Sequence, residues 1–504
     1  MNVKVIISLF AIVIAPQLYA DNYKYPFRNP NLPIEERVED LVSRLTPEQK
    51  IRQMVNAADA IPHLDIPPYN WWSVALHGVS QAGKATMFPQ AIALGATFDE
   101  EAMLESFTMI SDEARAKYND AQKNQNYGRF FGLTFWTPSA DLFRDPRWGR
   151  GMETYGEDPY LITRFGVAAV KGLQGDDPKY FKLHAGAKHF AVHSGPEWNR
   201  HSIDVSVSDY DLYETYLAPF EVLIKEANVQ EVMAAYNRYD GVPCSCSDFL
   251  LQEILRKKWG YEALIFSECG GIIDFWKEGH HETHKNPVEA SIAAIEAGVD
   301  YECGSQFLTL VPGLNDGSID ATILDEPIRR IMKSRMELGM FDPQEIVPFS
   351  KIGMEVVECE KHLSKALEMA EKSIVLLENK DNILPLDKNI KHIAVVGPNA
   401  DDQRMLWGNY HGRPSHTITI LEGIKSEFPN FEITYIKGCE HLDPILDPAE
   451  VVEGVASADV IIFVGGISPL LEGEEMAVLS GDYLIMVGSS SREKDLQQIV
   501  VTLN

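Results

Sequence analysis

Ile34, Val38, Leu41, Val42 and Leu45 recur at three- and four-residue intervals, the spacing of a helix with one apolar face. Thr46-Pro47-Glu48-Gln49 follows with a capping residue, a first-turn proline and a glutamine three residues after the cap. Residues 33–60 are therefore read as two helices. From about residue 70 to 340, short apolar runs (131-FGLTFW, 231-EVMAAYN, 263-ALIFSE, 298-GVDYEC) alternate with longer amphipathic stretches such as 208-SDYDLYETYLAPFEVLIKEA and 287-PVEASIAAIEAG. Alternation of β and α at this spacing implies parallel strands, and a (β/α)8-type barrel fits the length best. Asn237, Glu268 and Glu302 stand where apolar runs end, which in such a barrel is the active face.

Pro343, Pro348, Ser350 and Gly353 then punctuate the chain before a further helix. A second α/β unit is expected beyond it, with strands at 373-SIVLL, 392-HIAVVG, 432-EITYI and 459-DVIIFVGG and a last one at Tyr483–Met486 or Ile499–Leu503. The division expected is a signal peptide over 1–20, a barrel over 21–345, a linker and helix over 346–370 and an α/β sandwich domain over 371–504. Gly397-Pro398-Asn399 follows a strand as a dinucleotide turn would, but no G-x-G-x-x-G accompanies it.

Lys4, the apolar run Val5–Ile14, Pro16 and the small Ala20 have the form of an export signal, too short to span a bilayer. The mature chain is thus expected to be exported to the periplasm or beyond the cell, without membrane insertion. Over 504 residues, 45% are hydrophobic and 24% charged, the balance of a soluble globular protein. A net charge of −29 argues against nucleic acid as partner and suits a neutral substrate. Six cysteines are too few for a disulfide scaffold.

The segments 70-NWWSVALHGV, 145-DPRWGRGMETYGEDPYL, 188-KHF, 232-VMAAYNRYDGVPC and 265-IFSECGGI closely resemble glycoside hydrolase family 3, nearest its bacterial xylosidase-like and glucosidase-like branch. The likeness runs on through 393-IAVVGPNADD, 407-WGNYHGRPSHTITILEGI and 471-LEGEEM, covering residues 27–478. It implies a barrel followed by an α/β sandwich, retention of anomeric configuration, an oligosaccharide substrate and no cofactor or metal. The two catalytic carboxylates of most members come from different domains. The family usually continues with more sandwich strands and a fibronectin type III-like domain. The resemblance therefore implies an incomplete sandwich here, with that last domain absent.

Retaining glycosidases need two carboxylates about 5–5.5 Å apart, a nucleophile and an acid/base. Glu268 ends an apolar run ahead of Cys269-Gly270-Gly271, whose glycines allow a sharp turn, and by resemblance it holds the nucleophile position. Glu472 is the acid/base candidate, with Glu474 and Glu475 close enough to raise its pKa. Arg150, Lys188, His189, Arg200 and Tyr236 match sugar-binding positions of the family, while Asp145, Glu153 and Asp158 read as loop anchors. Two positions depart from the pattern. The family has aspartate where Glu268 stands, and usually an acidic residue where Val74 stands in Trp-Trp-Ser-x-Ala-Leu-His-Gly. Valine accepts no hydrogen bond from a sugar hydroxyl, and glutamate adds about 1.5 Å of reach. Two activities are expected on these grounds: an exo-acting β-glycosidase favouring xylose over glucose, or a family member that binds sugar with impaired turnover. A β-N-acetylhexosaminidase is disfavoured, because 188-KHFAVHSGPE lacks Pro-Gly after Phe190. Cys269 and Cys303 are expected to be free thiols by the same likeness. Cys244 and Cys246 are too close for an unstrained bond to each other. The H-x-x-H spacing in 279-GHHETH is metal-like, but Gly279 and the loop setting favour a substrate-entrance loop.

Overall fold

Thr46 caps the helix Pro47–Gln53 through the reciprocal bonds of a capping box: its hydroxyl accepts the Gln49 N–H at 3.2 Å, and Gln49 Oε1 accepts the Thr46 N–H at 3.1 Å. The preceding helix, Ile34–Ser43, buries Val38, Leu41 and Val42 along one face. Both N-terminal helices thus stand where the periodicity puts them, the second ending at Gln53. These elements belong to a computed structural model that describes residues 23–145, 148–387, 389–441 and 445–468, together with the backbone of 481–488 and 496–503. The leader over 1–20 and Glu472, Glu474 and Glu475 lie outside the described residues.

The first apolar run becomes β1 (Thr134–Phe135), β2 (His184–Phe190) forms around 188-KHF, and the other three runs become β3 (Glu231–Ala234), β4 (Leu264–Ser267) and β5 (Tyr301–Glu302), paired in the order β5-β4-β3-β2-β1, every pair parallel. Every residue of the five strands is buried, as expected for parallel strands covered on both faces. Helical segments connect successive strands: Pro159–Gln174, Ala218–Lys225, Phe249–Lys258 and Pro287–Ala297.

An eight-stranded closed barrel is not what the described residues form. They make a curled half-barrel of five strands, and residues 54–73 span the gap between its edges irregularly. Asn56 N–H donates to Glu302 O at 2.8 Å, Trp71 N–H to Asn56 O at 2.9 Å, and Trp136 N–H, just past β1, to Ser73 O at 2.9 Å. Trp71 stacks on Tyr301 of β5, and its carbonyl accepts the Thr134 hydroxyl of β1 at 2.6 Å. Within this stretch Ala57–Ala58 pair antiparallel with Tyr69–Asn70, and Pro62, Pro67 and Pro68, which cannot donate to a ladder, lie between these two short strands.

The second α/β unit holds three parallel strands, β6 (His392–Val396), β7 (Glu432–Ile436) and β8 (Val460–Phe463), in the order β7-β6-β8. Ile393 and Val395 pack with Leu421 on one face of β6, and Ala394 and Val396 with Val455 on the other. The expected strand at 373–377 does not form. Ile374 to Leu377 pair with no strand among the described residues and are exposed, Leu377 to 93%. Both candidates for a last strand are extended, but as β9 (Gly481–Gly488) and β10 (Leu496–Leu503), an antiparallel hairpin that pairs with itself and adds nothing to β6–β8. Among the described residues no helix is long and apolar enough to cross a membrane.

Asp300 pins β4 in place. Its carboxylate, fully buried, accepts from Ile265 N–H at 2.8 Å, Arg256 at 3.0 Å and Arg330 at 2.9 Å, while its own N–H donates to Ile265 O at 2.7 Å. Removing one member of a buried ion pair leaves an uncompensated charge, at a cost of about 3–5 kcal/mol. Asp300→Ala should lower the guanidinium midpoint accordingly. A shift within error of the parent would show that the arginines find other partners.

Candidate active site

Parallel strands present all their C-terminal ends to one side, and chemistry in such folds gathers there. Glu268 follows β4 directly, Lys188 and His189 lie near the C-terminal end of β2, Tyr236 follows β3 by two residues, and Arg150 comes from the loop after β1. The chain brings these five together from four separate strand ends.

Glu268 is 5% exposed. Its Oε1 lies 3.1 Å from His189 Nε2 and 3.5 Å from Arg150 Nη1, and its Oε2 accepts the Cys269 N–H. Burial pushes the Glu268 pKa up, but the hydrogen bond and charge of His189, then the charges of Arg150 and Lys188, outweigh it and hold the carboxyl well below its ordinary range. The group is a carboxylate at neutral pH. Its neighbours are fixed in turn. Asp141 accepts from the His189 backbone N–H at 3.1 Å and lies 2.7 Å from its Nδ1, which leaves Nε2 directed at Glu268. Glu153 holds Arg150 in a two-pronged pair at 2.8 and 2.9 Å and lies 3.6 Å from Lys188 Nζ. Burial raises the Glu153 pKa, yet the charges of Arg150 and Lys188 bring it down to about 2. Glu153, read from sequence as a loop anchor, is thus a buried counter-charge of the site.

A cleft of about 240 Å³ opens over Glu268, lined by Arg150, Arg200, Tyr236, Trp72 and Tyr410, with Cys269 and Asn409 at its edge. Arg200 lies over the Tyr236 ring at 5.1 Å, and the Tyr236 hydroxyl donates to Cys269 O at 2.9 Å. Lys188 and His189, expected to hold sugar hydroxyls, are 3% and 1% exposed and do not line this cleft; Lys188 faces Glu153 and lies over the Tyr410 ring at 5.1 Å, and His189 faces Glu268 and Asp141. Val74 is also buried and lies two residues after the cleft-lining Trp72. Glu302 is buried away from the cleft, where burial pushes its pKa up to about 8.

Tyr410 and Asn409 come from the second α/β unit, and nothing in their spacing marked them as site residues. Backbone bonds seat their segment on the first unit: Gln81 N–H donates to His411 O at 3.0 Å, and Arg413 N–H to Gly83 O at 2.9 Å. His77 Nε2 lies 3.1 Å from Asn409 O. Gly412 permits the approach, since a Cβ there would stand 2.7 Å from both Val79 O and Ala85 Cβ.

Cys269 and Cys303 are joined in a disulfide, contrary to the expectation of free thiols. β4 and β5 are neighbours with Ser267 opposite Glu302, so the two cysteines leave adjacent strand ends with their Cα atoms 4.4 Å apart, within bonding reach. Cys244 and Cys246 are both free. In the 279–284 loop, His281 Nε2 lies 2.7 Å from Tyr236 O and His284 Nδ1 lies 3.0 Å from the Thr283 hydroxyl, so the H-x-x-H pair does not converge.

The chain matches the glycosyl hydrolase family 3 N terminal domain over residues 41–334 and the family 3 C-terminal domain over residues 374–500. A xylan 1,4-beta-xylosidase of Xylanibacter ruminicola is 44% identical over 421 residues, covering 82% of this chain and 48% of that protein. Probable beta-D-xylosidase 7 of Arabidopsis thaliana is 36% identical over 479 residues, covering 90% of this chain and 60% of that one. Among solved structures, a GH3 exo-beta-xylosidase in complex with a xylobiose aziridine activity-based probe superposes with a TM-score of 0.81 at 30% identity, over 89% of this chain and 58% of that one. A beta-glucosidase from Listeria innocua in complex with glucose gives 0.72 at 27% identity, over 87% and 65%. The chain thus spans about half to three fifths of the length of these two curated relatives. The half-barrel with a carboxylate at its strand ends and the matches along both α/β units agree: the chain belongs to glycosyl hydrolase family 3.

Proposed function

We propose that the protein is a retaining, exo-acting β-glycosidase that removes terminal β-linked sugars, xylose ahead of glucose, from plant-wall oligosaccharides. The observation that carries this reading is Glu268: an ionised carboxylate at the floor of a cleft, held by Arg150 and His189. In this mechanism Glu268 attacks the anomeric carbon while a second carboxylic acid protonates the leaving oxygen; water then releases the sugar from the enzyme. Glu472 is the proposed acid/base by its place in 471-LEGEEM. Arg200, Tyr236 and Trp72 line the cleft with donors and an aromatic face suited to a pyranose. Xylose is favoured because the first curated relatives are xylosidases by name. Export is proposed from the leader sequence, and the Cys269–Cys303 bond suits an oxidising compartment.

One observation favours the second reading, sugar binding with impaired turnover. The Glu268 side chain turns back on its own neighbour, so that Oε2 accepts the Cys269 N–H while Oε1 faces His189 and Arg150. An aspartate at this position would be one carbon shorter.

Initial rates on an aryl-xyloside separate the two. Glu268→Gln should lose at least about a thousandfold in kcat, about 4 kcal/mol of transition-state stabilisation. Glu268→Asp should exceed the parent if the longer side chain holds the carboxylate off line. A slower Glu268→Asp would show instead that the site is adapted to glutamate. An unchanged rate in Glu268→Gln would remove Glu268 from the chemistry.

Val74 is proposed as the second lesion. Val74→Glu should raise kcat/KM about tenfold by restoring about 1.4 kcal/mol of binding. A fall in Tm without any gain in kcat/KM would mark residue 74 as a packing position alone.

A further inference from the structure

Beside the cleft, three groups from two loops converge. The Asp274 carboxylate, 2% exposed, lies with Oδ2 2.9 Å from His201 Nδ1 and Oδ1 2.6 Å from His280 Nδ1. One atom from each residue falls within 4.8 Å of the others. His201 is 38% exposed and His280 18%, so solvent reaches the imidazoles while their carboxylate stays buried. The sequence motif in this loop suggested His281 with His284; the grouping that forms uses His280 with His201, 79 residues earlier.

We propose that His201, Asp274 and His280 bind a divalent cation of the zinc class through the two Nδ1 atoms and the Asp274 carboxylate, and that its binding loosens Arg200 at the edge of the cleft. Two neutral imidazoles and one carboxylate are a ligand set that such ions take, with remaining positions open to water. Tetrahedral bonds of 2.0–2.2 Å would set the ligand atoms about 3.4 Å apart. The two hydrogen-bonded pairs therefore need to open by less than an ångström. The net charge of −29 favours cations near the surface.

The coupling to the cleft follows from the histidine's two nitrogens. Arg200 Nε donates to His201 Nε2 at 3.1 Å, so His201 carries its proton on Nδ1, facing Asp274. A metal on Nδ1 takes that position, and the neutral imidazole must then carry its proton on Nε2. An N–H would face the Arg200 N–H, and Arg200 would lose this acceptor. Arg200 lines the cleft and lies over Tyr236, whose ring is also 4.8 Å from that of His201. Occupation should therefore weaken sugar binding and leave Glu268 and its partners untouched.

The full chain, freed of metal with a chelator, is titrated with Zn2+ by calorimetry and with Co2+ by visible absorption. One site is expected in the parent. His280→Gln and Asp274→Asn, checked for folding by circular dichroism, should each weaken it at least tenfold. No binding by the parent, or equal binding by both variants, would overturn the site. The second arm rests on the glycosidase reading: Zn2+ should raise KM for an aryl-xyloside several-fold in the parent but not in His280→Gln, with kcat little changed. If the chain proves to have no turnover, xylose titrated against tryptophan fluorescence, with and without Zn2+, replaces that readout. Zinc bound at the site with no change in KM or in xylose affinity would refute the coupling.

Discussion

Glu268 carries its charge at 5% exposure, and a carboxylate so placed is tolerable because His189, Arg150 and Lys188 surround it with opposite or potentially opposite charge. Those groups are themselves buried and need partners, which Asp141 and Glu153 supply. The result is a closed set of charges drawn from several strand ends, in which each member is oriented by the next. Such a set ties together the ends of β1, β2 and β4, as Asp300 ties β4 to Arg256 and Arg330. The preorganised field that chemistry at Glu268 would use is thus the same arrangement that the fold needs for neutrality.

Local signals were legible in the sequence. The Thr46 capping box, the apolar face of Ile34–Ser43 and the buried runs that become β3 to β5 need no distant partner to be recognised. The motif resemblance named Glu268, Arg150, Arg200 and Tyr236, which line one cleft. What it missed depends on distance along the chain. The disulfide joins residues 34 apart and was decided by which strands are neighbours. Glu153 reads as an ordinary loop acid until Arg150 and Lys188 are seen beside it. The run at 373–377 has strand composition, but a strand also needs a partner, and none of the described residues supplies one. In the first unit the described residues show five parallel strands where the alternation suggested eight, and between residues 54 and 73 the chain forms a two-residue antiparallel pair with single bonds to the sheet edges.

His201 illustrates how closely the surroundings of the cleft are tied to it. It contacts Asp274 on one ring nitrogen, Arg200 on the other and the Tyr236 ring in a T-shaped packing. Any event that redistributes its single proton is felt by a residue that lines the cleft, without any movement of the backbone.

The seating of Tyr410 has a consequence for how such a protein changes over time. The floor of the cleft is built from strand ends whose charges are interlocked, so a substitution there disturbs several partners at once. One wall comes from the second unit, attached through main-chain bonds at Gln81 and Gly83 and a close approach at Gly412. Main-chain bonds place little restriction on the side chains beside them. Residues 409 and 410 can therefore vary while the floor stays constant, and that wall becomes a replaceable fitting. On the proposed glycosidase reading, preference among saccharides drifts by exchange of that wall while the charges beneath it are kept.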